Sequence, residues 1–164
     1  MKTTYIMWLA LVALSQTNCA NASSGSRQMT CTITGVALGN NNDGGGQIDL
    51  DLSINYGEFA PVPESVSKEA EVTSISFSGG PAELNGLALV NGHVKSHPKF
   101  RSPAVELLLG TDESPAFTIV IADKSGKQGE LGLVARTLGW SEEVPKLWTG
   151  TCKNQESDST RDTE

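Results

Sequence analysis

Ile48, Leu50, Leu52, Ile54 and Tyr56 alternate without a break with Asp49, Asp51, Ser53 and Asn55. Successive side chains of an extended strand point to opposite faces, so this run sets one face against an apolar interior and the other in water. Antiparallel sheets accept such one-sided burial, whereas a parallel sheet covered on both faces reads as a continuous apolar run. Related segments recur along the chain. Residues 29–38 are rich in Thr, Ile and Val and stop at Gly39. Thr73, Ile75 and Phe77 form a third segment, broken by Gly79-Gly80-Pro81, and residues 83–90 form a fourth with Asn85-Gly86 as a bulge or an early turn. Segments 105–109, 117–122, 130–136 and 146–152 follow, separated by turns such as Lys124-Ser125-Gly126-Lys127. Helix is expected only at 63–71 and 141–144. Eight short strands at this spacing predict an all-β fold, either a single antiparallel β-sandwich or a small eight-stranded barrel.

The beginning of the chain reads differently. Lys2 is the sole charge before Arg27, and residues 5–14 are all apolar. Ten residues are too few to cross a bilayer core of about 30 Å as a helix. They suit the hydrophobic region of a signal peptide, and Ala20-Asn21-Ala22 supplies the small-x-small pattern that places cleavage before Ser23. The expected organisation is a signal peptide over 1–22, a flexible N-terminus over 23–28, an all-β domain over 29–153 and a disordered acidic tail over 154–164, where no apolar side chain occurs. A secreted or periplasmic protein follows, with no transmembrane segment. The alternative is a lipoprotein modified on Cys19, although Gln16-Thr17-Asn18 lack the small residues such sites place before the cysteine.

Removing Cys19 with the leader leaves Cys31 and Cys152, one near each end of the domain. An even pair in an exported protein predicts a disulfide. It would join the first and last strands and bring their Cα atoms within about 7 Å.

A formal net charge of −7 argues against a protein that coats nucleic acid or anionic membrane through its overall field. That charge is uneven. Residues 84–105 contain no Asp or Glu, and His93, Lys95, His97, Lys99 and Arg101 occupy every second position within and beside them. An extended backbone would point all five to one side, as a stripe for an anionic small ligand or an acidic protein partner, strengthened as imidazoles charge below about pH 6.5. The competing reading is protection of an exposed edge strand by charge and by Pro98, with pairing to Asp49 and Asp51.

No cofactor or metal is expected. His93 and His97 stand at a spacing that suits a metal only on a helix, which Gly92 and Pro98 disfavour. The 40–46 loop, aligned as a calcium loop from Asn40, lacks the early acids and the bidentate Glu. No nucleophile elbow or paired-carboxylate motif assigns a catalytic residue. Tyr56, Phe59 and Trp140 fall near strand ends, where large aromatics could line the mouth of a ligand site. The expectation is an exported binding module or inhibitor acting through the stripe. A ligand-free structural protein is the alternative, and a small hydrolase a more remote one.

Overall fold

The computed structural model describes residues 24–36, 45–111, 114–124, 130–138 and 145–155. The expected leader, Cys19, the 141–144 helix, Trp140 and residues 156–164 of the tail lie outside them. The strands are β1 (Gly25–Val36), β2 (Gln47–Tyr56), β3 (Ala60–Pro61), β4 (Lys68–Gly79), β5 (Ala88–Ser96), β6 (Ala104–Thr111), β7 (Ser114–Asp123), β8 (Leu131–Thr137) and β9 (Leu147–Asn154). Their order is β2-β1-β9-β8-β7-β6-β5-β4, and a β2–β4 pairing closes the ring, with the two-residue β3 added to the outer end of β4. The result is a closed eight-stranded antiparallel barrel, one of the two architectures the alternation predicts.

Closure follows from side-chain direction. On β1 the buried positions are Met29, Cys31 and Ile33; on β2 they are Leu50, Leu52 and Ile54. Leu107 and Leu109 of β6, Phe117, Ile119 and Ile121 of β7, and Leu131 and Leu133 of β8 meet them from the opposite wall, none more than 1% exposed. Phe117 packs against Trp148 with ring centroids 5.5 Å apart. The barrel is filled with apolar side chains, and its outer wall is largely Thr, Ser and charged residues. That is the reverse of a barrel whose wall meets lipid. Among the described residues no helix is long and apolar enough to cross a membrane.

Cys31 and Cys152 stand directly opposite each other where β1 pairs β9, and they form the predicted disulfide with a Cα–Cα distance of 3.9 Å. Both are fully buried inside the barrel.

Three local expectations change. Residues 63–71 are not helical: a turn follows Pro63, and from Lys68 the chain alternates with Ala70 and Val72 inside and Glu69 and Glu71 outside. The fourth long strand starts at Ala88, because Ala82–Leu84 forms one 3-10 turn whose Leu84 is buried beneath one end of the barrel. Gly79 and Gly80 enable this exit with φ of 72° and 83°, and the Gly80 N–H donates to the Asp49 carbonyl at 2.8 Å. Finally, β1 starts at Gly25, since Gly25–Gln28 extend the ladder on Tyr56–Ser53.

Candidate functional site

The five-residue stripe divides at the end of β5. His93 and Lys95 lie within the strand, point outward and are flanked by β4 on one side and β6 on the other. Edge protection therefore does not explain them, because β5 has no free edge there. Their partners are not Asp49 and Asp51, which instead accept hydroxyl hydrogen bonds from Thr32 and Thr30 of β1 at 3.1 and 2.8 Å. His93 Nδ1 lies 3.0 Å from Glu69 Oε1, and Lys95 Nζ lies 2.8 Å from Glu106 Oε2 and 3.9 Å from Glu69 Oε1. Carboxylates from both neighbouring strands thus cover the first half of the stripe. The sequence hid these partners because cross-strand register, not chain proximity, selects them.

Beyond Ser96 the backbone leaves the extended form, so His97, Lys99 and Arg101 do not continue the row. The Phe100 N–H donates to the His97 carbonyl at 3.0 Å, closing a turn, and the Lys99 N–H donates to His97 Nδ1 at 3.1 Å. Asp123, at the end of β7, accepts from the backbone N–H groups of Arg101 at 2.9 Å and Ser102 at 3.2 Å. Arg27 Nη1 donates to the Pro103 carbonyl at 2.7 Å while its Nε donates to Asn154 Oδ1 at 2.8 Å. The turn is therefore fastened to β1 through Arg27 and to β7 through Asp123, with Asn154 of β9 orienting Arg27, none of which the sequence pattern marks. Burial lowers the Arg27 pKa from its ordinary value, opposed by Tyr56 and Asp123, yet a guanidinium stays charged at any physiological pH.

What this fastening presents is Phe100, 61% exposed, with its ring 5.5 Å from that of His97. Lys99 and Arg101 flank it, and among the described residues neither side chain has an acidic partner. The hairpin joining β3 and β4 reaches the same end of the barrel, since Lys68 pairs with Ser96, and it adds Val66 at 71% exposure.

Tyr56 and Phe59 also belong to this end and pack edge to face with centroids 5.6 Å apart. Both are partly buried against the core, so they close the barrel more than they open it. Trp140 lies outside the described residues, and the strand ends on either side of it, Thr137 and Leu147, belong to the other end of the barrel. No cluster of three or more His, Cys, Asp or Glu among the described residues is placed to hold a metal ion.

The ion pairs predict a weak acid sensitivity. The hydrogen bond from Lys95 holds Glu106 below its ordinary value of 4.5, and the hydrogen bond from Lys146 does the same for Glu83. A lowered folded pKa contributes stability above the ordinary carboxylate range and loses it as pH falls through the depressed value. The urea midpoint of a Glu83→Gln, Glu106→Gln variant is expected to fall less steeply between pH about 5 and 3 than that of the parent. For exposed pairs the difference should stay within about 1 kcal/mol each. Lys95 is raised by the same Glu106 bond, so its share is lost only as pH rises above 10.5.

The chain matches no known protein-family model, no curated protein and no solved structure.

Proposed function

We propose that this chain is an exported binding module that docks an acidic segment of a partner protein on the turn between β5 and β6. The observation that carries this reading is the exposed Phe100 held between Lys99 and Arg101, two cations without acidic partners among the described residues, in a protein of net charge −7. An aromatic and an Arg on a pre-fastened turn are the residue types that concentrate binding energy, and prior fastening lowers the ordering cost of association. The local positive charge selects an acidic partner and speeds its approach. His93 and Lys95, already engaged by Glu69 and Glu106, serve as support rather than contact. The packed interior speaks against a carrier of a small apolar ligand. Export rests on the apolar leader pattern, and the buried disulfide is compatible with an oxidising compartment.

A fluorescent poly-glutamate peptide provides the test. It should bind at low ionic strength, weaken as salt is added, and lose at least about tenfold in affinity to a Lys99→Ala, Arg101→Ala variant. Lys95→Ala should change little. Unaltered affinity in the Lys99, Arg101 variant would remove the turn from consideration.

A further inference from the structure

A second surface, independent of the basic turn, carries a shallow, open groove lined by polar side chains. On the outside of the barrel, where β4, β2 and β1 run side by side, a groove of about 330 Å³ is lined by Gln28, Asp51, Ser53, Ser76, Ser78 and Gln155, with Phe77, Met29 and Leu52 beneath. That volume falls at the small end of the range for small-molecule sites. Register builds it. Gln28 pairs with Ser53 and Ser53 with Ser76 in one rung, while Thr30 pairs with Asp51 and Asp51 with Ser78 in the next rung of the same face. The serines are short, and the longer Gln28 and Gln155 side chains form the rim.

Its polar groups are partly pre-oriented and mostly unspent. Gln155 extends the β9–β1 ladder through its N–H to the Gln28 carbonyl at 2.8 Å, and its Nε2 donates to Thr30 Oγ1 at 2.8 Å. The Thr30 hydroxyl in turn donates to Asp51 Oδ1 at 2.8 Å. This relay leaves Asp51 Oδ2 and Gln155 Oε1 as acceptors. Among the described residues, the Gln28 amide and the hydroxyls of Ser53, Ser76 and Ser78 make no hydrogen bond to other protein groups. An array of acceptors, amide donors and hydroxyls matches a ligand whose own groups both donate and accept. Among the described lining residues, the single carboxylate and the absence of a cation disfavour phosphate, sulfate or carboxylate ligands. Phe77 pairs with Leu52 and packs inward on the core, so the groove floor is the backbone over these residues and recognition there falls to the polar groups.

We infer that this groove binds a neutral saccharide of one or two rings through Asp51, Gln28, Gln155 and the three serines. The experiment is an NMR titration of the full mature chain with glucose, galactose, N-acetylglucosamine, maltose and lactose, each to high millimolar concentration, with glucose 6-phosphate as the anionic control. At least one neutral sugar should shift the side-chain amide signals of Gln28 and Gln155 with saturation, and glucose 6-phosphate should bind that groove more weakly than glucose. Asp51→Ala should weaken the binding about tenfold, as expected for losing a charged hydrogen-bond acceptor. Ser76→Leu, which fills the groove from an exposed position, should abolish it while the signals of the barrel interior stay in place. Amide signals that do not move with any neutral sugar, or shifts that survive both substitutions, would overturn the assignment.

Discussion

Replacing Cys31 and Cys152 together by alanine is expected to lower stability by about 4–5 kcal/mol in the chain-entropy account of a disulfide. The bond spans 121 residues, nearly the whole barrel, so the intact bridge denies the unfolded chain most of its long-range freedom. The folded state loses less. β1 and β9 remain joined by their ladder from Met29–Asn154 to Val36–Leu147, and each alanine keeps the Cβ and removes only the sulfur. The effect should therefore show in urea unfolding as a lower midpoint together with a larger denaturant slope, since the unbridged unfolded chain exposes more surface. Native protein should also resist reduction without denaturant, because neither sulfur is open to a thiolate from solvent. A loss below about 1 kcal/mol would mean that the unfolded chain is held compact by something other than this bond.

The register explains which parts of this architecture were legible in the sequence. Strands such as β2 announce themselves because every inward position is a large apolar residue. β5 does not, since a register shift after Leu89 breaks its alternation and the inward positions beyond it are Gly92, Val94 and Ser96, with Gly92 against Leu107 and Val72 and no room for more. The basic row was visible as a period of two, but that period continues past Ser96, where the backbone turns, so spacing alone overstated the stripe. Distinguishing barrel from sandwich was beyond the pattern. It depends on the β2–β4 pairing, which the alternation of either strand permits equally. The groove was invisible for a similar reason: Gln28, Ser53, Ser76 and Gln155 are ordinary surface residues until three strand pairings, β1–β2, β2–β4 and β1–β9, bring them onto one face.

Phe117→Ala is expected to cost about 3–5 kcal/mol, the range for removing a large aromatic from a rigid core. Phe117 is fully buried and packs on Trp148, and the strands on either side, β6 and β8, belong to a closed ring that cannot collapse inward easily. Part of the lost volume should therefore persist as a dry apolar cavity. Small aromatics such as benzene should bind there and raise the melting temperature of the variant but not of the parent. The pair of outcomes bears directly on function. An eight-stranded barrel can enclose a ligand or fill itself with side chains, and the choice rests on the size of a few inward residues. If the parent chain gains no stability from apolar ligands while the Phe117→Ala variant does, the interior is closed to ligands by its own packing. Recognition would then fall to the outer wall and to the turn that carries Phe100.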